Sequence, residues 1–331
     1  MADGSGLFLH EPVRAGYRHV GVISNPSSFS RGLDPREAKD WPDIRFAAPR
    51  SRGSLLRTLR DYARSGVDLL VVAGGDGTLR DVLSALPLAY TGALPEIALI
   101  ATGNTNLAAR ALGLGGERRG ALGHLLAAVA AEAGGEAVLR RVPCPVLEIG
   151  WTGQPGRPKL RGFFLGSGAY ASGKRLADGV VHGHLQQGPA VAVTVLLSVL
   201  RGIFGRRARS AGEACAMRVD GRPTLAGRQF VFLATALPRL MFGLWPFRAD
   251  GAGDVHFVSI SAPARRLWAT LPALLGGFGS RLLRRNGVQS GRAGRIELTL
   301  RQPFVLDGEF FDAGPDGVTV AAGAPVVFVA A

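Results

Sequence analysis

The stretch Leu69-Leu70-Val71-Val72-Ala73-Gly74-Gly75-Asp76-Gly77-Thr78-Leu79-Arg80-Asp81-Val82-Leu83 contains the change of rhythm that decides the fold. Leu69 to Ala73 is an unbroken apolar run, which reads as a strand buried on both faces. From Leu79 to Leu86 the spacing becomes that of an amphipathic helix. Gly74, Gly75 and Gly77 stand between the two. Without Cβ atoms the backbone there can turn sharply and present N–H groups to an anion. The helix that follows aims its positive end at the same point. Asp76 is an odd neighbour for a phosphate unless it handles a divalent cation or accepts a proton from an attacking hydroxyl. Thr78 is placed to cap the helix and to donate to a phosphate oxygen. The competing reading is an ordinary strand–helix turn, with Asp76 and Thr78 as local caps.

The flanking sequence repeats this alternation. His19 to Ser24 reads as a buried strand broken by Asn25-Pro26, and Ile44 to Ala47 as a short second strand. Ser54 to Ala63 has helical periodicity and ends near Gly66. Ile97 to Ala101 reads as a further strand, followed by a loop and a helix from Leu107 to Leu112. Strands alternating with helices predict a parallel sheet covered on both faces, with ligands at the carboxyl ends of its strands. Past about residue 140 the pattern becomes a series of short β segments separated by Gly and Pro turns, which predicts a mainly antiparallel region. The expected division is therefore residues 1–140 as a nucleotide-binding α/β domain and residues 141–331 as a β-rich acceptor domain, with Ala128 to Arg141 approaching the boundary.

Composition narrows the class. At 331 residues and 47% hydrophobic the chain has material for more than one core. Its two cysteines, Cys144 and Cys215, lie far apart, against a disulfide framework or zinc site and in keeping with a reducing cytoplasm. The net charge of +14 comes from 36 arginines and three lysines among 39 basic residues. Such a surface attracts anionic lipid or nucleotide. No recognition module or interleaved basic and aromatic stripe points to nucleic acid. The N-terminus lacks the apolar stretch of a signal peptide. The longest apolar runs, Ala190 to Leu200 and Leu267 to Phe278, fall short of the ~20 residues that span a bilayer. A soluble or peripheral protein is expected, cytoplasmic or at the inner face of the membrane.

The glycine loop resembles the Gly-Gly-Asp-Gly-Thr motif of the diacylglycerol kinase catalytic-domain family, which includes sphingosine, ceramide and bacterial lipid kinases. Three further features stand in that family's order. Asn25-Pro26-Ser27-Ser28 resembles its nucleotide loop after the first strand. Gly103-Asn104-Thr105-Asn106 resembles its second loop, and Asp307-Gly308-Glu309 its C-terminal Asp-Gly-Glu. The resemblance implies a domain akin to phosphofructokinase and NAD kinases, followed by a β-sandwich, with ATP and Mg²⁺ in the cleft. It implies nucleotide contacts from Asn25, Pro26, Ser27, Ser28, Gly74, Gly75, Asp76, Gly77, Thr78, Gly103, Asn104 and Asn106. Glu309 and Asp76 would act on the acceptor hydroxyl, with Asp307 as an acceptor-side or Mg²⁺-linked carboxylate. A neutral alcohol is a poor nucleophile, so a carboxylate that takes its proton suits the chemistry. The competing reading of Asp307-Gly308-Glu309 is a hairpin turn with an exposed Glu.

The chain departs from that family at several positions. Asn104 replaces the usual Thr, and Leu107 stands where an Asp is frequent. Arg141-Val142-Pro143-Cys144-Pro145 opens the second domain where many members carry an Asp. The nearest counterpart of a bacterial structural Mg²⁺ site is the turn holding Asp250 and Asp254, as candidate metal ligands. Three functions stay open: a lipid kinase with a diacylglycerol-like or sphingoid-like acceptor, a soluble-substrate kinase of the NAD kinase type, and a non-catalytic lipid- or nucleotide-binding protein. His182-Gly183-His184, the aromatic Met241 to Phe247, and the apolar segment before Arg206, Arg207 and Arg209 are further candidates, the last for a membrane surface. Nothing in the sequence fixes an oligomeric state.

Overall fold

The structure, a computed structural model, describes residues 19–25, 33, 41, 44–103, 105–114, 120–175, 212–240, 245–264, 270, 272–274, 276 and 280–331. Its first part is the expected α/β layer. Strands β1 (Val20–Ser24), β2 (Arg45–Ala47), β3 (Leu69–Gly74) and β4 (Glu96–Ala101) pair in parallel in the order β2-β1-β3-β4. Helices α1 (Arg52–Arg64), α2 (Asp76–Ala89), α3 (Leu107–Leu112) and α4 (Ala121–Ala133) are their connections and cover. Every residue of β3 is buried, because both faces of the sheet are occupied. Leu70 and Val72 join the core formed with Leu55 and Leu59 of α1 and Leu79, Val82, Leu83 and Leu86 of α2. Leu69 and Val71 point the other way, to Leu122, Leu125, Leu126 and Val129 of α4. That is the two-residue alternation of a strand read from both sides.

Local choices fix the register of these pieces. Ser51 and Ser54 form a capping box at the start of α1. Tyr62 donates its hydroxyl to the carbonyls of Val22 and Arg45, tying α1 to β1 and β2. Its ring fills the space over Gly21, where a Cβ would stand 2.6 Å from Tyr62 Cδ2, so this position in β1 takes no side chain.

The second part is antiparallel. It comprises β5 (Arg140–Trp151), β6 (Leu160–Gly162), β7 (Phe164–Gly168), β8 (Glu213–Val219), β9 (Arg222–Thr235), β10 (Val255–Ser261), β11 (Val288–Ala293), β12 (Arg295–Thr299), β13 (Phe304–Leu306), β14 (Glu309–Phe311) and β15 (Val318–Ala330). A separate core, with Ile149, Leu165, Phe232, Ile296, Phe304 and Val318 at its centre, lies within this region. The two parts are continuous. β15 is antiparallel to β5 along most of its length, then pairs in parallel with β4 through Phe328 and Val329. The C-terminal strand thus completes the N-terminal sheet. Arg141 adds a polar tie, bonding Glu96 of β4 and Glu132 of α4. Pro143 and Pro145 are tolerated in β5 because that stretch pairs on one side only, with β6 reaching only Leu147 to Ile149.

Residues 121–133 form a helix, which runs into the stretch from Ala128 to Arg141 that approaches the expected boundary. One expectation about local structure needs correction. Helix α2 begins at Asp76, three residues earlier than its apolar spacing suggested, and its N-cap is Gly75 with no side-chain cap bond. Thr78 therefore lies in the first turn and does not cap.

Candidate active site

The glycine loop sits where β3 ends and α2 begins, with side chains from three neighbours closing on it. Gly74 is required by Thr78, whose Cβ lies 2.5 Å from the place a Gly74 Cβ would take. Asn25, just past β1, donates its amide to Thr78 Oγ1 at 2.9 Å, while its backbone N–H bonds the Ala73 carbonyl at 3.0 Å. Two residues from the first and second nucleotide motifs are thereby joined across parallel strands. Asp76 reaches beyond its own helix. Its carboxylate accepts the N–H of Leu107 at 3.0 Å and of Ala108 at 3.2 Å, so it caps α3 rather than α2. The first turn of α2 has no side-chain cap from its N-cap residue, which leaves room for an anion at its N-terminal end.

The second loop follows β4 and packs directly on the first. A Cβ at Gly103 would stand 2.5 Å from Gly75 Cα, so the two backbones touch with no room for a methyl group. Asn106, in the left-handed region at φ 48°, closes the loop on itself. Its Oδ1 accepts the Gly103 N–H at 3.0 Å and its Nδ2 donates to the Gly103 carbonyl at 2.6 Å. Leu107, standing where an acid was expected, offers its backbone N–H to Asp76.

Asp307-Gly308 forms the two-residue turn between β13 and β14, both residues at positive φ, so the hairpin reading was geometrically right. It does not leave the carboxylates idle. Asp307 folds inward and accepts the N–H groups of Phe163 and Phe164 at 3.1 Å and 2.8 Å. Burial, reinforced by the nearby Asp76 carboxyl, pushes its pKa up to about 7. Burial raises Asp76 as well, opposed by the N–H bonds from Leu107 and Ala108. Glu309 lies between two arginines. Arg52 Nη2 donates to its Oε1 at 2.7 Å, and Arg80 Nη2 donates to its Oε2. Arg80 also bonds Asp81 and the Leu306 carbonyl, and its Nη2 is 3.8 Å from the space over Gly77. Both guanidiniums flank the Phe311 ring, at 5.4 Å and 5.3 Å. The far end of the chain is thus brought against the glycine-loop helix.

Residues 24–134 match the diacylglycerol kinase catalytic domain. This segment belongs to the diacylglycerol kinase catalytic-domain family. It is thus a kinase domain. Among solved structures, a diacylglycerol kinase from Bacillus anthracis str. Sterne is similar at a TM-score of 0.57 and 15% identity, over 95% of this chain and 97% of that one. A second structure from that strain, described there as a suggested diacylglycerol kinase, gives a TM-score of 0.62 at 16% identity over 95% and 98%. At such identities the likeness is one of fold. No curated protein matches the chain.

In this kinase domain, the described residues among the predicted nucleotide contacts do converge: Asn25 meets Thr78, Gly75 meets Gly103, and Asp76 meets the residues after Asn106. Pro26, Ser27, Ser28 and Asn104 lie outside the described residues, as do His182, His184, the segment before Arg209, and Met241 to Leu244. Trp245 and Phe247 pack edge to face at 5.0 Å with Phe247 buried, a core arrangement. Asp250 pairs with Arg248 at 2.9 Å and Asp254 with Arg292 at 3.4 Å. Among the described residues no group of three His, Cys, Asp or Glu is gathered to hold a metal unaided, and no helix is long and apolar enough to cross a membrane. Cys144 is a core residue whose thiol burial pushes up to about 12. Arg52, Arg80 and Asp81 were missed. Arg80 is buried on α2 between Leu79 and Asp81, and no local pattern in the sequence marks it.

Proposed function

We propose that the chain is an ATP-dependent lipid kinase, moving the γ-phosphate of ATP to a hydroxyl of a diacylglycerol-like or sphingoid-like lipid. The observation that carries this reading is the contact between Glu309 and Arg80 of the glycine-loop helix, which sets a carboxylate beside the expected phosphate site. The names of the matching family and of the similar bacterial structures favour a lipid acceptor. In the transfer, the acceptor oxygen bonds the γ-phosphorus as the bond to the bridging oxygen breaks. The hydroxyl proton passes to Glu309, and ADP leaves. The open first turn of α2 receives phosphate, with Thr78 and Asn25 beside it.

The charge of the site suits a metal-bound nucleotide. The carboxyl groups of Asp76, Asp81, Asp307 and Glu309 gather at the site beside the Arg52 and Arg80 guanidiniums, so a triphosphate bound there would bring its charge close to carboxyl oxygens. Asp76 and Asp307 are hard oxygen donors. Mg²⁺ commonly takes one or two carboxylates together with substrate phosphates, so these two residues fit it without a larger protein cage. When bound there, Mg²⁺ would neutralise phosphate charge. The basic surface of the chain, +14 overall, favours peripheral attachment to an anionic membrane from the cytoplasmic side.

The test is incubation with radiolabelled ATP, Mg²⁺ and a panel of lipid alcohols in mixed micelles, followed by organic extraction. Labelled phospholipid from a glycerolipid or sphingoid alcohol is expected. Label confined to soluble acceptors would overturn the lipid assignment. Mass spectrometry of lipids that co-purify with the protein would name the acceptor class independently.

A further inference from the structure

The two arginines on Glu309 are not equivalent. Arg80 is 3% exposed and held by Asp81, the Leu306 carbonyl and Glu309 together. Arg52 is 54% exposed, in the first turn of α1, with Nε 3.2 Å from Asp81 and Nη2 2.7 Å from Glu309. Exposed ion pairs of this kind contribute little to stability, so Arg52 is cheap to move and Arg80 is not. Both oxygens of Glu309 face guanidinium donors, and an acceptor hydroxyl that reaches Oε1 has to compete with Arg52.

Arg52, Glu309, Arg80 and Gly77 are successive neighbours, leading from the solvent rim to the open turn of α2. A terminal phosphate bound at that turn carries more charge than a carboxylate and matches the arginine fork. We propose that Arg52 is a donor-phosphate residue. On nucleotide binding its guanidinium turns from Glu309 and Asp81 to the terminal phosphate, which frees Glu309 Oε1 for the acceptor hydroxyl. Arg80 remains and keeps the carboxylate in place. The inference rests on reading this site as that of an ATP-dependent kinase.

The experiment is calorimetric titration of wild type, Arg52→Ala and Arg52→Lys with Mg²⁺-ATP and, separately, Mg²⁺-ADP. Arg52→Ala is expected to weaken ATP roughly tenfold or more and to leave ADP within about twofold. Arg52→Lys, which keeps the charge but not the fork, is expected to recover only part of the loss. The KM for ATP should rise with Arg52→Ala in step with the binding constant. Unchanged ATP affinity in Arg52→Ala would overturn the proposal and leave the kinase reading standing, as would an equal loss for ATP and ADP. A wild-type protein that binds neither nucleotide would remove the kinase reading, and this inference with it.

Discussion

Arg80 on α2 donates to Glu309 on β14, although 229 positions separate them in the chain. Asp76, one helical turn before Arg80, holds the N-terminal end of α3. Helix α2 is therefore a strut with the second loop fastened at one point and the Asp-Gly-Glu hairpin at the next. A buried arginine is tolerated here because its donors meet two carboxylates and a carbonyl, and because its charge faces an acidic surround.

Asp307 should make stability depend on pH in the direction opposite to an ordinary paired carboxylate. Its folded pKa of about 7 lies above the unfolded value of 3.8, so the folded protein retains a proton that the unfolded chain releases. The associated stability is full below about pH 4 and is lost as pH rises through 7. Asp76, also raised, acts in the same sense. Asp307→Asn keeps an acceptor for the Phe163 and Phe164 N–H groups and a residue suited to positive φ. Thermal melts from pH 4 to 8 should show a falling Tm in wild type, a flatter profile in Asp307→Asn, and a more stable variant at pH 8. Parallel profiles would contradict the placement of this carboxyl group.

Gly103→Ala should separate the two nucleotide loops, because the added Cβ would press within 2.5 Å of the Gly75 backbone. A loss of about 1–3 kcal/mol in stability is expected from the forced shift, with ATP binding weakened at least tenfold. Gly123→Ala is the control. A Cβ at Gly123, inside α4, meets nothing within 4 Å, so alanine should stabilise by roughly 0.5–1 kcal/mol and leave ATP binding unchanged. Urea unfolding and nucleotide titration read both effects.

Asp76→Asn should end phosphate transfer while the protein stays folded. An amide nitrogen would then face one of the two N–H groups that the carboxylate accepts, costing about 1–3 kcal/mol at α3. A fall in turnover of at least about a hundredfold with a native circular dichroism spectrum is expected. Near-normal turnover would confine Asp76 to its capping role.

The parallel layer was legible because Leu69 to Ala73 is apolar at every position and glycines follow at once. The limits lie where Ala and Gly dilute the pattern or where contacts are distant. Helix α4 hides its Leu122, Leu125, Leu126 and Val129 stripe among alanines, so its apolar period does not stand out in the sequence. The start of α2 was misplaced because Asp76, Gly77 and Thr78 have no apolar period to show. Pairing of Phe328 with Ile97 depends on closure of the whole chain and leaves no local trace. For the same reason Glu309 could be marked by its motif, whereas its partners Arg52 and Arg80 could not.

Glu309→Gln is the most direct test of the two-part site. Gln keeps the shape and one oxygen for the arginines but takes no proton, and at 44% exposure its substitution should leave the fold intact. With Mg²⁺-ATP and the lipid alcohol that wild type phosphorylates best, kcat should fall by about a hundredfold or more while ATP still binds. A variant that turns over the lipid at the wild-type rate would contradict the assignment of Glu309 as the base and, with it, the joining of the Asp-Gly-Glu hairpin to the glycine loop as one catalytic site.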